Sequence, residues 1–121
     1  MLMRKLIFTL LAALLLTACG KQYQAERAVS RFMSDNMVNP DQVESRQYSD
    51  LDSTRYLNDS IVESLRQQAR HSDLYRPQPA YDRQPVKRML YFTHVSFKMG
   101  DREYRQTYYL GEDLSGVVAF R

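Results

Sequence analysis

Apolar residues Ala25, Ala28, Val29, Phe32, Met33 and Met37 recur at spacings of three and four, which predicts an amphipathic helix from about Gln24 to Met37. Glu26, Arg27, Arg31 and Asp35 fill the opposite face. Pro40 cannot continue the helix and biases Asn39 away from helical angles, so the element should stop between Asn36 and Pro40. From Asp41 to Tyr56 the alternation is almost wholly polar, with Val43, Ser45, Gln47 and Ser49 on one side and Glu44, Arg46, Tyr48 and Asp50 on the other. That pattern fits an edge strand better than a buried one. Ser60 and Glu63 have the spacing of a capping box. Ile61, Val62, Leu65 and Ala69 then mark one face of a short helix to about His71. Pro77, Pro79 and Pro85 impose a long extended connection, flanked by Tyr75 and Tyr81.

The last third alternates most regularly. Met89, Tyr91, Thr93, Val95, Phe97 and Met99 interleave with Leu90, Phe92, His94, Ser96 and Lys98, the period of a strand. Gly100-Asp101 supplies a two-residue hairpin turn of type II′, in which the glycine takes positive φ. Folding about that turn sets Lys98 opposite Glu103, Phe97 opposite Tyr104, Val95 opposite Gln106, Thr93 opposite Tyr108 and Tyr91 opposite Leu110. One face then collects Tyr91, Val95, Phe97, Tyr104, Tyr108 and Leu110 and should pack on the helices. The other carries Phe92, His94, Ser96, Lys98, Glu103, Arg105, Thr107 and Tyr109 and should be mostly wet. A turn over Gly111 to Gly116 leads to a final strand, Val117 to Phe120. The chain thus reads as an α+β domain: N-terminal helix, strand, second short helix, then an antiparallel three-stranded meander whose sheet packs on helices segregated to one face. A leading helix followed by such a meander looks like the cystatin-like and nuclear-transport-factor-two-like folds. That likeness covers most of residues 24–121 and carries no specific activity, because one fold hosts many.

Ahead of this domain lies a different kind of segment. Arg4 and Lys5 precede an apolar run from Leu6 to Leu16, and small residues Thr17, Ala18 and Gly20 follow it, the order found in a secretory signal. A bilayer-spanning helix needs roughly 20 apolar residues, and this run is about half that length. Leu16-Thr17-Ala18-Cys19 resembles the lipobox of bacterial lipoproteins. The resemblance implies that residues 1–18 are removed as a lipoprotein signal peptide. It also implies that Cys19 becomes the N-terminus, with a diacylglyceryl group on its thiol and a further acyl chain, such as palmitate, on its amine. More than one chain gives stable anchoring where a single chain gives marginal binding. Residues 19–23 then form a lipidated tether and 24–121 a single domain. Gly20 after the cysteine resembles the enteric pattern for outer-membrane sorting, so the expected address is the bacterial cell envelope, lipid-anchored, at the outer membrane.

Loss of the signal also changes the charge. The full chain has 17 basic and 14 acidic residues, but Arg4 and Lys5 leave with the first 18 residues, so what remains is nearly neutral. With its only cysteine lipidated, the domain has no disulfide and no cysteine nucleophile, and must be held by packing and hydrogen bonding. Basic and acidic residues are interleaved, as in Asp101-Arg102-Glu103, which speaks against a nucleic-acid surface. The chain lacks a Gly-x-Ser-x-Gly elbow, a phosphate-cradling glycine loop, a His-Glu-x-x-His pair and EF-hand spacing. No cofactor and no metal are expected.

Candidates for chemistry are correspondingly few. His71 and Asp73 stand two apart at a helix end, where histidine is favoured by the helix dipole alone. His94 lies on the wetter sheet face, and Asp50 and Asp52 on one side of an extended stretch. Two readings follow. The first is a non-catalytic binding or assembly module of the cell envelope, held at the membrane through Cys19, meeting an envelope protein through Phe92, His94, Arg105 and Tyr109. The alternative is a small hydrolase or isomerase with a pocket between helix and sheet, His94 as base and Asp50 or Asp52 assisting. A carboxylate within hydrogen-bond reach of His94 would favour the second.

Overall fold

The computed structural model describes residues 20–121. The expected lipobox, Leu16 to Cys19, lies outside these residues. Helix α1 occupies 20–36, followed by a short 3-10 turn at Pro40–Gln42. Strand β1 is Glu44–Tyr48, β2 is Asp52–Thr54 and helix α2 is Asp59–Ala69. Strands β3 (Leu90–Met99), β4 (Arg102–Leu110) and β5 (Val117–Phe120) complete an α+β fold. All pairings in the five-stranded sheet are antiparallel, in the order β1-β3-β4-β5, and β2 shares with β1 the outer edge of β3.

The hairpin adopts the register expected from the sequence, pair for pair, from Tyr91 opposite Leu110 to Lys98 opposite Glu103. Gly100 has φ +61°, the left-handed value that a type II′ turn requires at this position. On one face of the sheet, Val95, Phe97, Tyr108, Leu110 and Phe120 pack with Ala25, Val29, Phe32 and Met33 of α1. Phe32 lies within 6.2 Å, ring to ring, of Tyr75, Tyr81, Tyr108 and Phe120. Burying a side chain of that size contributes about 1.5–3 kcal/mol relative to exposure.

Helix α1 starts earlier than its apolar stripe predicts. Residues 20–23, expected as a tether, are helical. Gln22 fixes this first turn: its Oε1 accepts from the Leu51 amide at 2.7 Å and its Nε2 donates to the Ser49 carbonyl at 3.1 Å. At the other end, Asn36 Nδ2 donates to the Phe32 carbonyl at 2.9 Å, while Asn36 Oδ1 accepts from the Ala80 amide at 2.8 Å. The helix therefore runs obliquely from the β2 side of the sheet to the proline-rich connection beside β5.

The polar stretch after α1 is an edge, as expected, but it is broken in two. Ser45 takes φ +57° where the β1–β3 register shifts. Ser49 bridges the gap before β2. Its amide donates to the His94 carbonyl, its Oγ accepts from the His94 amide and its carbonyl accepts from Thr93 Oγ1, each at 2.8 Å. The first two bonds satisfy β3 backbone groups that a continuous neighbour would otherwise serve.

Helix α2 departs from expectation in two ways. Its N-cap is Asn58, whose side chain accepts from the Ile61 amide at 2.9 Å, so Ser60 lies inside the first turn. The phase of the helix leaves Ile61 exposed and buries Val62, Leu65 and Ala69. More consequentially, Val62 and Leu65 pack with Leu90, Tyr109, Val118 and Ala119, in a second core. Leu90 and Tyr109 alternate with the residues that meet α1, so through Val62 and Leu65 helix α2 covers the face opposite α1, while its last residue, Ala69, joins the first core. The connection after α2 covers the outer edge of β5, where the Asp82 amide donates to the Val117 carbonyl at 2.9 Å.

Candidate binding face on the sheet

Because α2 reaches only β5 and the adjoining ends of β3 and β4, the face it covers is closed at one end and open at the other. The open part is built by strand alternation alone: His94, Ser96 and Lys98 on β3, with Glu103 and Arg105 facing them on β4. Gln47 of β1 pairs with Ser96 and extends the surface toward the edge. Ser45, Gln47, Ser96, Lys98, Glu103 and Arg105 line a shallow depression of about 650 Å³. Lys98 Nζ and Glu103 Oε1 lie 3.5 Å apart across the hairpin, both exposed. An ion pair of this kind contributes little to stability, so its charges remain available to a partner.

The four residues expected to form a binding surface are divided by α2. His94 and Arg105 stand on the open part. Phe92 is half-buried at the boundary, packed against the second core. Tyr109 is only 6% exposed and belongs to that core, which corrects its expected place on a wet surface. The physical reason is that Val62 and Leu65 need an apolar floor, and Leu90 and Tyr109 supply it.

His94 Nδ1 lies 2.7 Å from Thr107 Oγ1, and its ring meets the Phe92 ring edge-on at 5.6 Å. Thr107 is the residue that the hairpin register puts directly opposite, so the strand pairing itself carries the signal for this partnership. Asp50 and Asp52 are exposed. Asp52 Oδ1 accepts from the neighbouring Ser53 amide at 2.8 Å. The structure does not bring either carboxylate into a hydrogen bond with His94. His71 and Asp73 are exposed in the turns after α2, where Ser72 Oγ accepts from the Leu74 amide at 3.3 Å. Among the described residues no three His, Cys, Asp or Glu side chains converge as metal ligands would, and no helix is long and apolar enough to cross a membrane.

Comparison with known protein families, curated proteins and solved structures finds no match for the chain.

Proposed function

We propose that this protein is a lipid-anchored lipoprotein of the bacterial cell envelope whose domain acts as a non-catalytic binding or assembly module. The observation that carries this reading is the half-covered sheet face. A helix shields one end of it, and the other end presents His94, Ser96, Lys98, Glu103 and Arg105 to solvent on a rigid hairpin. Arginine and aromatic side chains are enriched at protein interfaces, and this face carries Arg105 with half-buried Phe92 at its boundary. A surface on β-strands holds its side chains in fixed relative positions, which lowers the entropic cost of association. The lipid on Cys19 confines the domain to the membrane surface and raises its effective concentration toward a partner held there.

Photocrosslinking in intact cells tests the surface. A photoreactive residue replacing Arg105 should yield one discrete adduct, and adding Lys98→Glu should weaken it. The same residue replacing Gln68, exposed on α2, should yield none. Equal capture from both positions, or none from Arg105, would remove the sheet face from the proposal.

A further inference from the structure

A different part of the molecule, between α2 and the proline-rich connection, holds an unexplained polar group. The hydroxyl of Tyr81 is buried and without a hydrogen-bond partner, the only such side-chain atom among the described residues. Native structures rarely leave a buried donor unsatisfied. The Tyr81 ring is fixed by stacking on Phe32 at 5.6 Å, and the Arg66 guanidinium lies over it at 5.2 Å from the ring centre. The charged groups that act on its hydroxyl are Arg66, Arg83 and Glu63. These same residues, with Arg70, line a groove of about 260 Å³ walled by Pro77 and Pro79. Proline fixes the backbone and offers no amide donor of its own, so Pro77 and Pro79 wall the groove without adding backbone donors to it.

The arginines are not equivalent. Arg66 is locked in place: Nε donates to the Val118 carbonyl at 2.8 Å, Nη2 to the Asp82 carbonyl at 3.3 Å, and Nη1 lies 3.5 Å from Glu63 Oε2. Among the described residues, Arg70 and Arg83 have no ion-pair partner. With the Glu63 carboxylate set against Arg66, the groove keeps the two positive charges of Arg70 and Arg83.

We propose that this groove binds the phosphate group of an anionic ligand, gripped by Arg70 and Arg83 with the Tyr81 hydroxyl as an additional donor at the inner wall. A phosphate monoester carries about −1.5 to −2 charge at neutral pH and three acceptor oxygens, matching the surplus charge and the number of donor groups. A carboxylate offers half that charge and one oxygen fewer. Guanidinium groups suit phosphate because their N–H forks meet two oxygens at once. The phosphate monoester can belong to a soluble ester or to a lipid headgroup that ends in one, since the recognising chemistry is then the same.

Thermal unfolding and calorimetric titration of the full-length protein in detergent micelles decide the matter. Inorganic phosphate and glycerol phosphate should bind and raise the melting temperature, whereas acetate at equal ionic strength should not. Arg70→Gln and Arg83→Gln should each weaken binding about tenfold, the size of effect expected for one charge-assisted contact, and the double variant should abolish it. Tyr81→Phe removes a donor that is unsatisfied in the free protein, so it should leave the free melting temperature unchanged or higher while weakening phosphate binding. Vesicles containing phosphatidic acid, whose headgroup is a phosphate monoester, but not phosphatidylcholine would compete if the natural source is a headgroup; without competition, the source is a soluble ester. An equal response to acetate, or phosphate binding that survives the double arginine substitution, would overturn the site.

Discussion

Two phenolic hydroxyls meet inside the larger core, and they give individual side chains an unusual hold over stability. Tyr75 and Tyr108 are hydrogen-bonded hydroxyl to hydroxyl, and Tyr108 donates onward to Gln106 Oε1 at 2.6 Å, so the proton order runs from Tyr75 through Tyr108 to Gln106. Burial pushes the ionisation of both well above the ordinary tyrosine value of 10.0, because a phenolate would lose its hydration there. The same cause pushes Tyr81 up to about 12. The folded chain therefore keeps protons that the unfolded chain releases above about pH 10. Stability contributed by these groups is complete below that pH and falls as pH rises through the folded-state values. An alkaline titration should show a late rise in tyrosinate absorbance that coincides with loss of far-ultraviolet circular dichroism. A late rise without unfolding would mean that these hydroxyls reach water in the native state. Tyr108→Phe should remove part of the late step in proportion to one tyrosine.

Among the elements, α2 shows most clearly where local rules stop. Asn58, Asp59 and Ser60 are three adjacent residues that all favour a cap position, and the choice among them depends on where the helix docks. Docking buries Val62, Leu65 and Ala69, and that phase places Asn58 at the end, with Asp59 Oδ1 accepting from the Val86 amide at 2.9 Å. Asn58→Ala should lower unfolding stability by about 1 kcal/mol in a denaturant titration. Ser60→Ala should have an effect within about 0.5 kcal/mol, as for an ordinary exposed site; the reverse ranking would restore the capping box to Ser60 and Glu63. The contrast with the β3–β4 hairpin is physical. There a period of two, a glycine at the turn and sequence-adjacent pairing fix the register before any tertiary contact. The hairpin register was legible pair by pair, as were the interior face of α1 and the edge character of β1, whereas Thr107 and Tyr109, expected on the wet face, are buried. The side of the sheet that α2 covers was not, because it depends on contacts between residues far apart in sequence. A signal for it existed: Leu90, Phe92 and Tyr109 gather at one end of a face otherwise made of His94, Ser96, Lys98, Glu103 and Arg105. Large apolar residues collected at one end of an otherwise polar face require a cover, and α2 supplies it.

At the scale of the whole molecule, the docked first turn of α1 determines how the domain would sit at a membrane. Gln22 is tied to Ser49 and Leu51, and Lys21 Nζ lies 3.5 Å from the Tyr91 hydroxyl. Under the proposed lipidation, the anchor at Cys19 adjoins a helix that is already fixed to the sheet, without the flexible spacer expected from the sequence. A domain attached in this way keeps one end toward the bilayer, while a flexible tether would let it tumble. Under that proposal the anchoring rests on one cysteine, whose acyl chains would supply about 0.8 kcal/mol for each buried methylene group. Cys19→Ser should therefore abolish incorporation of labelled palmitate, and the intact mass should show residues 1–18 retained, because the serine cannot carry the thioether that precedes processing. Replacing residues 1–19 by a leader that is cut without lipidation should then release a folded domain into the soluble fraction, with the circular dichroism of the anchored form. Palmitate labelling that persists in Cys19→Ser would place the lipid elsewhere in the chain. Membrane retention of the leader-exchanged domain would assign attachment to the protein surface, where Lys21 and its neighbours at this end would be the first residues to test.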